Sequence, residues 1–153
     1  MIARSSAEVL LITAGALHYL QIPSMAYLRR GALKLESDLK LLTPVNARIV
    51  RVFVLAVMLL LLGLGASAMT QPHAWLDSPL GTFLSLLLGG FWVARAAAQV
   101  WLFRVWPAGY GNRSLYFGLL ALYAYLAVSY LAIGFSALEA GSALSAQRTP
   151  VLT

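Results

Sequence analysis

Four long runs, in which nearly every position is apolar, divide the chain. They cover residues 8–28, 49–70, 80–103 and 115–138. A helix needs about 20 apolar residues to cross a hydrocarbon core of about 30 Å. Each run is long enough, and the apolar residues fill every face rather than alternate positions. That pattern predicts helices and not barrel strands. The expected fold is therefore all-α: a single transmembrane domain over 1–153, built as a four-helix bundle. Arg95 interrupts the third run.

Punctuation between the runs supplies helix ends. Ser5 with Glu8 has the spacing of a capping box. Thr43-Pro44 and Ser78-Pro79 each place a hydroxyl before a proline at the first helical position. Pro23 is expected to kink the first helix near its end. Gly109, Gly111 and Asn112 predict a turn, and Gly141 a stop after the fourth run. Between the first two runs, Leu35, Leu39 and Leu42 lie at i, i+4 and i+7, with Lys34, Glu36, Asp38 and Lys40 largely on other faces. This predicts a short amphipathic helix over Gly31–Leu42 lying in the interface, against a solvated connector as the alternative.

Composition agrees with the pattern. The chain has 153 residues, 61% hydrophobic and 10% charged, and a mean hydropathy of +0.81. Soluble domains run near 45–50% apolar and about 25% charged. A water-soluble globule is excluded, and so is a disordered tail. There is no cysteine, hence no disulfide or thiolate chemistry.

The net charge of +6 matters through its placement. Arg29, Arg30, Lys34, Lys40, Arg48 and Arg51 gather between and beside the first two runs, and Arg104 and Arg113 flank the loop between the last two. Eight of the eleven basic residues thus fall on one side, which the positive-inside rule makes the cytoplasm. Both termini are expected outside. Contact with anionic lipid is the second meaning of this charge. Nucleic acid is not expected as a partner. The first run ends on Ser24-Met25-Ala26, like a signal-peptide cleavage site. Its positive charge follows the apolar run instead of preceding it, so an uncleaved anchor is expected.

Membrane helices associate by close backbone approach and buried polar contacts. Small residues recur at Gly81, Ser85 and Gly89, at Gly90, Ala94 and Ala98, at Gly63, Gly65, Ala66 and Ser67, and at Gly118, Ala121, Ala124 and Ala127. Tyr116, Tyr123 and Tyr130 repeat every seven residues, as expected of a packing seam.

Ionisable residues inside a membrane are candidates for function. Arg95 lies nine residues before Arg104, about 13 Å into the core. No acid lies at that depth: Glu8, Asp77 and Glu139 belong to the outer side, Glu36 and Asp38 to the cytoplasmic loop. Neutral groups match it better. Gln21 is eight residues before Arg29, about 12 Å deep, and Tyr123 ten after Arg113, about 15 Å deep. Gln99 is one turn from Arg95, and His18 one turn from Gln21. The candidate site is therefore His18, Gln21, Arg95, Gln99 and Tyr123, contacting a ligand or a partner. Two roles remain open for Arg95: fixing helix register, or holding an external anion. His18 and His73 differ in depth by about 15 Å, which argues against one shared metal. No metal or other cofactor is expected. No nucleophile–base pair, paired carboxylate or phosphate loop is present, so no catalytic residue is assigned.

Two segments carry a resemblance. Leu39-Lys40-Leu41-Leu42-Thr43-Pro44-Val45-Asn46-Ala47-Arg48, and Gly90-Phe91-Trp92-Val93-Ala94-Arg95 with Gln99, resemble a set of small four-helix bacterial membrane proteins of unknown function. The resemblance implies a multi-pass protein of the bacterial inner membrane and no activity. The topology and the arginine in the third run are also similar to the glutathione- and eicosanoid-metabolising membrane proteins. Those carry an Asn and a Glu in their second helix, and Val52 to Leu62 has neither, so that likeness is architectural. The first functional expectation is a non-catalytic accessory or assembly subunit of a larger bacterial membrane complex, an energy-converting one being a natural host, with lipids and other membrane subunits as partners. The second is a small membrane enzyme or carrier that binds an anionic or lipidic ligand at Arg95. A channel ranks third, because no span has a continuous polar face.

Overall fold

Prolines and hydroxyls set several of the helix starts. The computed structural model describes residues 2–23, 35–103 and 113–147. It contains α1 (Arg4–Tyr19), α2 (Leu35–Leu39), α3 (Pro44–Thr70), α4 (Pro72–Asp77), α5 (Pro79–Phe103) and α6 (Arg113–Gln147). No strand occurs among the described residues. Three helices are long and apolar enough to cross a membrane: Pro44–Thr70, Pro79–Trp101 and Tyr116–Ser142. The first apolar run is described only in part, as α1 and the helical residues 21–23, and its remainder 24–28 lies outside the described residues. So do Arg29, Arg30, Gly31–Lys34, Arg104, the turn at Gly109, Gly111 and Asn112, and Arg148. The bend expected at Pro23 falls on the same boundary.

Thr43 caps α3, its Oγ1 accepting from the Asn46 backbone N–H at 3.3 Å, with Pro44 following. Ser78 accepts from the Gly81 N–H at 3.0 Å. A hydroxyl cap contributes about 1 kcal/mol. Thr43→Ala should therefore lower stability by about that amount without moving the helix, which thermal unfolding in detergent would read.

Three local expectations are corrected. Ser5 is not a cap: α1 starts at Arg4, two residues before a Ser5 cap would place it, and the N-cap Ala3 makes no side-chain cap bond. The reason lies in Glu8, whose carboxylate accepts from Arg4 Nε at 3.4 Å instead of reaching back to the helix start. Gly141 is not a stop. It stays out of the left-handed backbone region and α6 runs through it to Gln147. Glycine inside a helix costs only about 1 kcal/mol, which the good helix formers Leu138, Glu139 and Ala140 before it offset. The stripe Leu35–Leu39–Leu42 also breaks. After Leu39 the backbone tightens to i→i+3 bonds, Lys40 N–H to Ser37 and Leu42 N–H to Leu39. Leu39 is buried and Leu42 exposed. The chain must leave the helical region before Pro44, and Thr43 does so at φ −58°, ψ 149°.

Backbone approach decides which helices meet. At the α1–α3 crossing, a Cβ on Gly15 would lie 2.7 Å from the Gly65 carbonyl oxygen, and one on Gly65 2.8 Å from that of Gly15. Gly89 receives Leu131, and Gly134 receives Leu86, which closes α5 onto α6. Tyr116, Tyr123 and Tyr130 are all buried, as a packing seam requires. Helix α1 packs on α3 and α6, α6 packs on α5, and α4 lies across one end against all four. Trp75 of α4 is buried there and donates from Nε1 to Ser67 Oγ at 3.1 Å. On the rim, Arg4 Nη2 donates to Asp77 Oδ2 at 2.7 Å. Asp77 and then Glu8 hold the Arg4 guanidinium above its ordinary pKa. Helices α3 and α5 make at most a marginal contact. The spatial order is thus α3–α1–α6–α5, open on one side.

Candidate functional site

The gap between α3 and α5 forms a groove of about 290 Å³. One wall is Phe53, Val54, Val57, Met58 and Leu61 of α3, and the other is Phe91, Trp92 and Arg95 of α5. Gln21 and Tyr123 complete it. On α3 the spacing 54, 57/58, 61 is one helix face. Phe53 and Phe91 are exposed and mark the mouth, while Leu61 and Trp92 are buried.

Arg95 is the polar end of this groove. Its Nη1 donates to Gln99 Oε1 at 3.0 Å and its Nη2 to the Tyr123 hydroxyl at 3.3 Å. The guanidinium carbon also stands 4.6 Å from the centre of the Tyr123 ring. Tyr123 stacks on Trp92 at 5.4 Å with 19° between the planes. Trp92 in turn meets His18 at 5.5 Å, His18 meets Tyr130 at 5.8 Å, and Tyr130 meets Trp75 at 6.2 Å. A continuous column of rings therefore fixes Tyr123, and Tyr123 fixes Arg95.

Every partner of Arg95 is neutral; no carboxylate touches it among the described residues. Were α5 to cross a bilayer, an arginine at mid-depth would cost about 2.5–3.5 kcal/mol on translocon scales. A cation–π contact returns about 0.5–2 kcal/mol, and a bond to a charged group about 1.5–3 kcal/mol. The two terms offset the cost but leave the charge uncompensated. Guanidinium has five N–H donors, and three remain beyond the two bonds. Two further buried donors lie close by: Gln99 Nε2 and Trp92 Nε1 have no partner. The site is rich in donors and poor in acceptors.

Of the five residues expected at the site, four belong together. Arg95, Gln99 and Tyr123 are bonded, and Gln21 lines the same groove. His18 stands behind Trp92 and is not part of the lining. Its Nδ1 lies 2.8 Å from the Ala14 carbonyl oxygen. A carbonyl only accepts, so Nδ1 carries the proton and the buried Nε2 holds a bare lone pair. His73 sits apart on the rim, 3.2 Å from Arg4. Among the described residues no group of three potential ligands is placed to hold a metal. Trp92 and the α3 wall were not anticipated as site residues. Trp92 had a signal: it precedes Arg95 by three and Gln99 by seven, on the same helix face.

No family model, no curated protein and no solved structure matches this chain.

Proposed function

We propose that this is a four-span protein of the bacterial inner membrane that binds an anionic amphiphile in the lateral groove at Arg95, as a carrier or binding protein. One observation carries the reading: a cation with only neutral partners ends an apolar groove that opens sideways between α3 and α5. A small ligand site of this kind is an apolar cleft with a few placed polar groups. The test is native mass spectrometry of protein gently extracted from its own membrane. An acidic lipid or small amphiphile should stay bound to wild type and be lost from Arg95→Gln. A chain that releases no such mass in either form would end this proposal.

A second reading has its own support. Gly90, Ala94 and Ala98 form an exposed small-residue column on α5, and Gly118, Ala121 and Ala124 another on α6. Such columns suit docking of further membrane helices. An accessory subunit of a larger complex would use them and would offer Arg95 to a partner's carboxylate. Co-purifying subunits at fixed stoichiometry in the same measurement would favour this second reading over the first.

A further inference from the structure

We infer that the occupant of the groove is a single-chain amphiphile with a monoanionic carboxylate head, of the fatty-acid class, entering from the bilayer. This rests on the proposed amphiphile site and names its ligand. Charge selects the head. Among the described residues Arg95 is the one basic side chain lining the groove, and Gln21 and Tyr123 beside it are neutral. A single positive charge matches a monoanion: a phosphomonoester dianion would leave charge uncompensated, and the monoanionic phosphodiesters of a bilayer bring two chains instead of one. Hydrogen bonding agrees. A carboxylate offers about four lone-pair sites. Arg95 lines the groove and keeps three N–H groups beyond its two bonds, and the unpartnered Gln99 Nε2 and Trp92 Nε1 belong to the two side chains packed around it and its Tyr123 partner. Both side chains are almost wholly buried, at 2% and 1% exposed. A buried donor without a partner carries a full desolvation cost that an acceptor would relieve.

Size selects the tail. At about 290 Å³ the groove lies at the small end of ligand clefts, which run about 300–1,000 Å³. That is room for a carboxylate and the first stretch of one chain, not for a glycerol with two. The wall from Phe53 to Leu61 rises about 12 Å. It is apolar throughout on α3, and the exposed Phe53 and Phe91 leave the mouth open to lipid.

The experiment uses purified full-length protein in detergent, with oleic acid, methyl oleate and phosphatidylglycerol as probes. Retention in native mass spectra and competition titrations are the readouts. Oleic acid should bind one per chain, methyl oleate at least tenfold more weakly, and phosphatidylglycerol should not displace it. Arg95→Gln should weaken oleic acid at least tenfold, with Arg95→Lys intermediate. Val57→Trp, which fills the groove and leaves Arg95 in place, should abolish binding while the thermal midpoint stays near wild type. Equal binding of acid and ester would overturn the carboxylate assignment. Phosphatidylglycerol held in preference to oleic acid would overturn the single-chain assignment and leave the amphiphile site standing. If no probe bound, both would fall together.

Discussion

Trp92→Ala is expected to destabilise the fold by about 3 kcal/mol and to uncouple Arg95 from its site. Large-to-small changes at buried aromatics cost about 3–5 kcal/mol in water-soluble cores. Part of that is transfer from water, which shrinks where the unfolded helices also sit in lipid. The cavity and lost dispersion contacts remain. Trp92 is 1% exposed and touches His18, Tyr123 and Phe91 with ring centres 5.0–5.5 Å away. Its removal would join the vacated volume to the groove and free Tyr123 to turn, so Arg95 would lose both its ring and its hydroxyl acceptor. Trp92→Phe should cost less than half as much, because the indole N–H makes no bond that could be lost. Reversible unfolding in mixed detergent would measure both. A Trp92→Ala protein as stable as wild type would show that the ring column does not pack as described.

That column also marks where the sequence was informative and where it was not. Arg95 and Gln99 are one helical turn apart, and matching depths pointed to Tyr123 and Gln21; these relations follow from a rise of 1.5 Å per residue. The tyrosine stripe was legible for the same reason. Depth gives height in the bundle but not direction around it. It placed His18 level with the site, yet the crossing at Gly15 and Gly65 turns His18 toward Trp92 and Tyr130 instead of the groove. Nor does periodicity say which helices are neighbours. The groove exists because α3 packs on α1 and not on α5, and that depends on two glycines, Gly65 meeting Gly15, while Gly63 two residues away meets nothing. The eight residues between α3 and α5 look like a loop, yet six of them form α4 once Trp75 finds Ser67 and the core. Local rules failed where a side chain had a competing partner, as Glu8 does in Arg4.

Those two glycines give the other large effect. Gly65→Leu should separate α1 from α3 and cost upwards of about 3 kcal/mol. Overpacking a well-filled contact costs about 1–3 kcal/mol and more when backbone obstructs it. Here the first added carbon meets the Gly15 carbonyl oxygen at 2.8 Å and His18 Cβ at 3.0 Å. Neither is the far end of a flexible side chain, so the helix itself must move. Helix α1 carries His18 against Trp92 and leads to Gln21 in the groove, so ligand retention should fall together with stability. Gly63→Ala is the matched control. It lies on the same helix with open space around it, and replacing a helical glycine should stabilise by about 0.4–1 kcal/mol. Gly15→Ala and Gly65→Ala each part the same crossing, so their costs should not add. Once one methyl has separated the backbones, the second meets less resistance, and the double variant should fall short of the sum by a measurable coupling of about 0.5–3 kcal/mol. Strict additivity across that pair would mean that the two glycines do not face one another, and the open side between α3 and α5 would lose its cause.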